Sequence, residues 1–466
     1  MAREEHSKLT RRGFLGAAAG AGALAAQGCA GLDRKASSRR PNVIYVFSDE
    51  HRWQSMSFTE LPEVHTPNMA RLASQGTEFV NCISNYPVCS PHRAMLLTGR
   101  WPYEQGVIDN NIPLSPDRMT IGKAFQQSGY HTAYIGKWHL GGTRAEPFGF
   151  DQSLIWGRTN THWDESVYYP EGDIPVQPKG YNATLMTDQA IDYMRAHTTE
   201  PFFLMLSLNP PHANFLDAPE SELARYADGS LPRRPNTSGL EPGSGEQEDV
   251  LKSNDWNHYR GYHAHISAID AELGRVMQTL DELGIADDTI LIYTSDHGSM
   301  FGSHGVGSKR QPYEESIRVP FLVRWPDRIP EGRRIDPLFG TIDICPTLCS
   351  LAGAVIPEEF QGQDFAGHLL GRRGPEPESQ FIMHISKENA SRGNDHPAPI
   401  FRGVRTARYT YARLADGSGM LFDNETDPYQ MNNRFHDAAL SDVRDTHQGM
   451  LRQWLAAASD PFSPGA

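Results

Sequence analysis

Continuous apolar runs that end in polar residues recur along the chain. They are VIYVF (43–47), PFFLMLSLNPPH (201–212), TILIYTSDHG (289–298) and, as a fourth run of this kind, RVPFLVRW (318–325). Continuous rather than alternating hydrophobicity is typical of strands that are covered on both faces. These runs therefore predict the strands of a parallel sheet in the interior of the protein.

Amphipathic helices are predicted between these strands. The clearest covers roughly residues 256–283, where apolar side chains recur at spacings of three and four and Gly284 follows as a stop. Strands that alternate with helices favour an α/β fold with a doubly wound, mostly parallel sheet flanked by helices. Ligands of such folds bind beyond the carboxyl ends of the strands, so the polar clusters at these ends are candidate functional positions.

The pattern changes at about residue 356. The short runs QFIMHI, FRGVRT, RYTYARL and MLFD are separated by turns and precede a predicted helix near 438–457, which indicates a small antiparallel sheet with a helix. We expect a catalytic α/β domain over 41–355 and a C-terminal α+β subdomain over 356–466. Residues 217–250 are rich in Pro, Gly, Ser and charge and predict a surface insertion.

The N-terminal residues 1–40 are interpreted as an export signal and linker. Arg11 and Arg12 precede a weakly apolar stretch of Ala and Gly, which is typical of a twin-arginine signal and predicts a periplasmic protein. Cys29 follows Gly28 and is a possible lipid anchor, which would make the protein a membrane-anchored lipoprotein. The stretch is too short and glycine-rich for a transmembrane helix.

Charge and cysteine content narrow the function classes. The 466 residues carry a formal net charge of −14, which argues against nucleic acid as a partner. Five cysteines in a chain of this length do not predict a disulfide framework. Cys345 and Cys349 lie one helical turn apart and are interpreted as packing residues.

A third cysteine, Cys89, lies in the turn CSPHR and precedes the apolar run AMLL. This pattern predicts a short buried helix that stops at Gly99. A residue at such a junction lies beside the unpaired N–H groups of the helix N-terminus, where an anion is favoured. From the residues alone, a buried structural thiol and a functional cysteine both remain open for Cys89.

Acidic residues follow two of the predicted strands. Asp49 and Glu50 end the first run, and Asp296 and His297 end the third. Carboxylates that converge from separate strands repel one another unless a cation lies between them, and oxygen ligands favour a hard cation such as Ca²⁺ or Mg²⁺. The alternative is that each acid caps a following helix.

Cationic side chains are spread over matching positions. Lys137 and His139 would point the same way if their segment is extended, and His212 follows the second run. With Lys309 and Arg93 they offer several donors to an anion beside a metal. Taken singly, each lysine is better explained as a solvated surface charge and each histidine as a hydrogen-bonded loop residue.

Taken together, these blocks resemble the formylglycine-dependent sulfatases, a type I sulfatase family with an alkaline-phosphatase-like fold. The pattern C-x-P-x-R is present as Cys89, Pro91 and Arg93. The resemblance continues in order through HTPNMARLASQGTEFVN, GKWHLGG, TSDHGSMFGSHG, KRQPYEESIRVPFLVRW, TIDICPTLCSLAG and VRTARYTYARL. It covers nearly the whole chain after the leader.

The resemblance implies that Cys89 is oxidised to formylglycine (3-oxoalanine) before folding, by a formylglycine-generating enzyme. It further implies one metal ion per chain, Ca²⁺ rather than Mg²⁺, at the positions of Asp49, Glu50, Cys89, Asp296 and His297. Arg93 and His139 would hold the hydrated aldehyde, and Asp296 would take the proton of its attacking hydroxyl. The implied sulfate-binding residues are Lys137, His212 and Lys309, where His212 or Lys309 protonates the leaving alcohol and Asn111 contacts the ester.

Two positions depart from the family pattern. Glu50 stands where members usually have Asp, Gln or Asn, so its ligation of the ion is open, and His92 replaces a small residue. The function implied is hydrolysis of a sulfate monoester, with a sulfated saccharide as the expected substrate. Two alternatives are a phosphonate monoester or phosphodiester hydrolase of the same superfamily and a lipid-anchored protein that binds sulfated ligands without turnover.

Overall fold

The structure is a computed structural model that describes residues 39–157, 161–163, 167–171, 174–229, 231–237, 256–386 and 398–464. These residues contain sixteen strands and eleven α-helices. The strands are β1 (Asn42–Asp49), β2 (Thr77–Phe79), β3 (Cys82–Ile83), β4 (His131–Lys137), β5 (Gln152–Trp156), β6 (Tyr168–Glu171), β7 (Ile174–Val176), β8 (Phe202–Pro211), β9 (Thr289–Ser295), β10 (Phe321–Arg324), β11 (Arg333–Ile335), β12 (Phe339–Gly340), β13 (Ser379–His384), β14 (Phe401–Thr406), β15 (Tyr409–Leu414) and β16 (Gly419–Asp423). The predicted twin-arginine pair and Cys29 lie outside the described residues.

The helices cover both faces of the main sheet. They are α1 (Pro67–Ser74), α2 (Cys89–Thr98), α3 (Pro102–Gln105), α4 (Ile121–Gln127), α5 (Asn182–Ala196), α6 (Glu220–Ala224), α7 (Trp256–Glu282), α8 (Glu314–Ile317), α9 (Thr341–Ala352), α10 (Ala366–Leu369) and α11 (Ser441–Ala457). Among the described residues, no helix is both long and apolar enough to cross a lipid bilayer.

The main sheet has ten strands in the order β11-β2-β10-β9-β1-β8-β4-β5-β6-β7. Its centre, from β9 to β5, is parallel, as the apolar runs predict. Alternate side chains of β1 enter different cores: Val43 and Tyr45 pack on the face that α2 and α9 cover, and Ile44 and Val46 pack on the face that α5 and α7 cover. The predicted doubly wound α/β architecture is therefore confirmed.

One predicted strand differs in direction. The run RVPFLVRW contains β10, but β10 is antiparallel to β9. The chain between β9 and β10 contains only the short helix α8 and enters β10 at the same edge of the sheet where β9 ends. A parallel strand would need a crossover connection to the opposite edge, whereas an antiparallel strand does not. The carboxyl end of β10 therefore points away from the edge where β1 and β9 end.

The predicted surface insertion over 217–250 is partly buried where it is described. Residues 220–224 form α6, and Arg234 is only 4% exposed because its guanidinium pairs with Glu60 and Glu315 at 2.9 and 3.1 Å. The description of this segment as surface chain was therefore wrong for the residues around Arg234. Residues 230 and 238–250 lie outside the described part.

A four-stranded antiparallel sheet, β13-β14-β15-β16, and α11 confirm the pattern predicted for the C-terminal region, while the boundary after residue 355 stays a prediction. This sheet packs against the segment that precedes α2. The Asn85 side chain donates a hydrogen bond to the Phe381 carbonyl at 2.7 Å, and the Met383 N–H donates to the Asn85 carbonyl at 2.9 Å. Trp101 packs on Phe381, so apolar contacts reinforce these hydrogen bonds.

Candidate active site

The carboxyl ends of β1 and β9 bring the acidic residues together. The two strands pair in parallel with Ser48 opposite Ser295, so the residues that follow them lie side by side. Asp49 and Asp296 are both fully buried. The Asp296 carboxylate accepts hydrogen bonds from the N–H groups of Glu50 at 3.0 Å and His297 at 2.8 Å, which fixes its orientation.

Cys89 is the first residue of α2. Val88 before it is extended, and Gly99 after the helix takes a left-handed conformation with φ of 56°, as the sequence predicts for the stop. The Cys89 Sγ lies 3.5 Å from Asp49 Oδ1 and 3.2 Å from His297 Nε2. The helix therefore delivers the cysteine to the edge of the sheet where the two strands end.

These side chains form a cluster whose donor atoms lie within 4.8 Å of one another: Asp49, Cys89, Asp296 and His297. Glu50, the fifth residue expected at the metal, is not part of it. Glu50 has a positive φ of 76°, and its carboxylate accepts from Lys309 Nζ at 3.0 Å and lies 3.7 Å from His212 Nε2. Asp49, Glu50 and His212 form a second cluster of possible ligands that shares Asp49 with the first.

Three buried cations surround the carboxylates. Lys137 Nζ lies 2.6 Å from Asp49 Oδ2, and Arg93 donates to Asp49 at 3.1 Å and to Asp296 at 3.3 Å. Lys309 Nζ lies 3.4 Å from the Cys89 sulfur. The cations offset charges that would otherwise repel one another in a site with little access to water.

Their charges also shift the pKa values in the site. Burial acts to raise the pKa of Asp49, but the positive charges, Lys137 first, hold it well below its usual range. Burial and the charge of Asp49 raise the pKa of Asp296. Burial and Asp49 oppose ionisation of Cys89, yet Lys309 and Lys137 hold the pKa of its thiol well below the usual value. The site therefore favours anionic donor groups at Asp49 and Cys89.

A pocket of about 640 Å³ opens above this cluster. Six residues that the sequence singles out line it, namely Cys89, Asn111, Lys137, His139, His212 and Lys309. Lys137 and His139 meet there although their segment is not extended throughout, since His139 has a positive φ of 57°. Asn111 lies exposed at the pocket, and Arg93 lies beneath it, fully enclosed.

Other pocket residues were missed by the sequence analysis. Trp156 and Tyr169 form part of the wall with Asn110 and the stretch 141–143. Trp156 is the last residue of β5, so the rule that ligands bind beyond strand ends could have identified it. The run QSLIW does not predict a buried central strand, because β5 lies toward the sheet edge and begins with an exposed residue.

His92 has contacts that the sequence did not suggest. Its ring is buried, and Nδ1 lies 3.1 Å from Ser84 Oγ and 3.2 Å from Thr341 Oγ1. The Ser84 hydroxyl donates to the Asp296 carbonyl at 2.6 Å. His92 is not among the side chains that line the pocket, and it contacts the site through Ser84.

The chain belongs to the sulfatase family. The family model described as sulfatase matches residues 41–354, and the model described as the C-terminal part of N-sulphoglucosamine sulphohydrolase matches residues 302–456. The chain is therefore a sulfatase with an alkaline-phosphatase-like fold, as the motifs predict.

Three relatives illustrate the match. An ulvan-active sulfatase of Formosa agariphila is 31% identical over 92% of this chain and 84% of its own length. An N-acetylglucosamine-6-O-sulfatase of Bacteroides thetaiotaomicron is 28% identical over 89% of this chain and 86% of its own. A solved structure in complex with its substrate, D-glucosamine-2-N,6-O-disulfate, superimposes with a TM-score of 0.82 at 25% identity, covering 92% of this chain and 99% of the other.

Proposed function

We propose that this sulfatase releases inorganic sulfate from a sulfate monoester of a glycan, with formylglycine made from Cys89 and a bound divalent metal. The observation that carries the proposal is the convergence of Cys89 with Asp49, Asp296 and His297 at the floor of a pocket that Lys137 and Lys309 also reach. Sulfated glycans are the proposed substrate class because the names of the relatives refer to ulvan and to sulfated amino sugars.

The donor set fits a hard divalent cation. Two carboxylates, one imidazole and the side chain at position 89 have donor atoms within reach of a single ion, and oxygen donors favour Ca²⁺ or Mg²⁺. We propose Asp49, Asp296, His297 and modified Cys89 as ligands of Ca²⁺, with Glu50 contributing from the neighbouring cluster. When bound, the ion would act as a Lewis acid on the sulfuryl oxygens.

The side chain at position 89 is proposed as the nucleophile after its conversion to formylglycine. Hydrated, the aldehyde would supply one hydroxyl to attack the sulfur and a second to expel sulfate and restore the aldehyde. Arg93 and His139 would orient this group: Arg93 is fixed by hydrogen bonds to the Lys137 carbonyl and Ser207 Oγ, both at 2.7 Å, and the His139 ring contacts Cys89.

The pocket cations would bind the sulfate oxygens. Lys137 Nζ lies 2.6 Å from Asp49 Oδ2 and Lys309 Nζ lies 4.0 Å from Asp49 Oδ1, and both lysines line the pocket together with Cys89. Donors held in place before reaction stabilise the charge that develops during transfer. His212 or Lys309 would donate the proton to the leaving alcohol, and Asn111 would contact the ester from the open side.

Burial and the nearby lysines lower the pKa of His212 to about 4, so the ring is neutral in the protein without substrate. A bound sulfate ester adds a negative charge beside the ring and favours its protonation. His212 is therefore proposed to take up its proton with the substrate.

The experiment is production of the chain together with a formylglycine-generating enzyme, followed by assay on sulfated saccharides. The mass of the tryptic peptide with residue 89 should show an aldehyde in place of the thiol, and Cys89→Ala should abolish sulfate release while its fold is retained. Cys349→Ala, which removes another buried thiol, is the matched control and should stay active.

A second comparison separates the alternatives. A sulfate monoester should show a higher kcat/KM than a phosphodiester or a phosphonate with the same leaving group. A preference for the phosphorus ester would favour the phosphonate monoester or phosphodiester hydrolase, and tight binding without turnover of any ester would favour a binding protein.

A further inference from the structure

A buried group of polar side chains lies beside the segment that carries His212. The group consists of His162, Asp217 and His265, and we call it the His–Asp–His cluster. His162 and His265 are fully buried, and Asp217 is 21% exposed. None of the three was singled out by the sequence, and none lines the active-site pocket.

The cluster contacts both ends of the segment. On the N-terminal side, the Asn209 amide donates to His162 Nε2 at 2.9 Å. On the C-terminal side, His265 Nε2 donates to the Asn214 carbonyl at 3.0 Å, and Asp217 ends the turn that follows. His212 lies between these two attachment points.

The hydrogen bonds define the role of each ring nitrogen. Asp217 accepts from His162 Nδ1 at 2.7 Å and from the His162 backbone N–H at 3.0 Å. The Tyr181 hydroxyl donates to His265 Nδ1 at 2.6 Å. These contacts require a proton on Nδ1 of His162 and on Nε2 of His265, so both rings are satisfied in their neutral forms.

The three side chains lie close enough to ligate a metal ion. However, each ring nitrogen already has a hydrogen-bond partner among the described residues, so the arrangement is complete without an ion. Burial, with the neighbouring His265, lowers the pKa of His162 to about 4, which agrees with a neutral ring. A network of this kind, fully satisfied, rigidifies the chain to which it is bound.

We propose that the His–Asp–His cluster positions His212 for its work on the leaving group of the sulfate ester. His212 Nδ1 bonds to the Ala213 carbonyl at 2.9 Å, and its Nε2 faces Glu50 and the pocket. The hydrogen bonds to the Asn209 side chain and to the Asn214 carbonyl hold the chain on both sides of His212. This proposal depends on the proposed function, because it assigns His212 a part in sulfate ester hydrolysis.

The expected effect is a selective loss of turnover. A displacement of about 1 Å at a positioned group can cost on the order of 10²-fold in rate. If His212 helps to protonate the leaving alcohol, its displacement will slow a sugar sulfate, whose alkoxide is a poor leaving group. It will have little effect on 4-nitrophenyl sulfate, whose leaving group departs without a proton.

The test compares kcat and KM of His212→Ala and four other variants on a sugar sulfate and on 4-nitrophenyl sulfate. Tyr181→Phe removes one hydrogen bond from His265, and His265→Ala removes the ring. His265→Gln keeps a donor for the Asn214 carbonyl and should restore part of the loss. The matched control is Tyr193→Phe, because the Tyr193 hydroxyl is also buried but has no hydrogen-bond partner among the described residues.

We expect kcat on the sugar sulfate to fall about tenfold in Tyr181→Phe and on the order of 10²-fold in His265→Ala. The activity on 4-nitrophenyl sulfate should fall much less, and His212→Ala should show the same selectivity. Equal losses on both substrates would overturn the proposal, as would wild-type ratios in Tyr181→Phe and His265→Ala. If instead the wild-type protein hydrolyses neither sulfate ester, the proposed function itself fails.

Discussion

The substitution Asp49→Asn tests whether the charges at the site are coupled as their distances indicate. Asp49 contacts Lys137 Nζ at 2.6 Å and Arg93 at 3.1 Å, and all three side chains are at most 6% exposed. Loss of one partner of a buried ion pair costs about 3–5 kcal/mol, because the other charge stays buried without compensation. We therefore expect the free energy of unfolding of the metal-free protein to fall by about 3–5 kcal/mol.

Calcium provides an independent readout of the same residue. A ligand that binds only the folded state adds about 2.7 kcal/mol of stability at a concentration 100 times its Kd. If Asp49 is a ligand, this increment should be present in the formylglycine-containing parent protein and absent from the same form of Asp49→Asn.

The first measurement is urea unfolding in EDTA of the parent protein and Asp49→Asn, both with Cys89 unmodified. The second is urea unfolding in Ca²⁺ of the same two proteins with residue 89 converted to formylglycine. Asp188→Asn is the control, since Asp188 pairs with Arg275 while both are about two-fifths exposed or more. A surface pair of this kind contributes at most about 1 kcal/mol. A loss below 1 kcal/mol in EDTA for Asp49→Asn, together with an unchanged calcium increment, would refute the reasoning.

Three further predictions concern other parts of the chain. Burial lowers the pKa of His384 from 6.5 to about 4. As the pH falls, the unfolded state therefore binds a proton at this histidine before the folded state does, and the free energy of unfolding decreases by up to about 3 kcal/mol between pH 6.5 and pH 4. His384→Gln should flatten the pH dependence of urea unfolding in this range. The Asp270 carboxylate accepts hydrogen bonds from the N–H groups of Asn68 and Met69 at the start of α1. Asp270→Ala should therefore lower the free energy of unfolding by about 1–2 kcal/mol. The control Asp281→Ala, at an exposed position, should lower it by about 0.5 kcal/mol or less. The double variant Arg11→Lys, Arg12→Lys should remain in the cytoplasm, as measured by cell fractionation, and normal export would contradict the twin-arginine interpretation. If Cys29 is lipidated, Cys29→Ala should release the protein from membranes.

The meeting of Asp49 and Asp296 could be predicted because it follows from a local pattern and one geometric rule. Each acid directly follows a continuous apolar run, and parallel strands place their carboxyl ends at one edge of a sheet. The direction of β10 could not be predicted in this way. Its run has the same apolar pattern, and only the path of the chain between β9 and β10 determines whether the strand is parallel.

The His–Asp–His cluster shows a second limit. His162, Asp217 and His265 are separated by about fifty residues each, on a loop, a short turn and the long helix α7. A lone histidine in any of these settings carries no periodic signal, so only the packing of the three elements brings the rings together. Glu50 illustrates the same limit at shorter range, because its positive φ turns the carboxylate toward Lys309 and not into the cluster with Cys89.

The contact between the C-terminal sheet and the segment before α2 has a consequence for the order of events during synthesis. Asn85 and Trp101, on either side of Cys89, are held by Phe381 and Met383, which leave the ribosome almost three hundred residues later. Until β13 has been made, the segment around Cys89 lacks the partners that complete its burial. If Cys89 is converted to formylglycine as proposed, we expect the modifying enzyme to act on the nascent chain before this contact forms, because the residue is only 1% exposed in the finished fold.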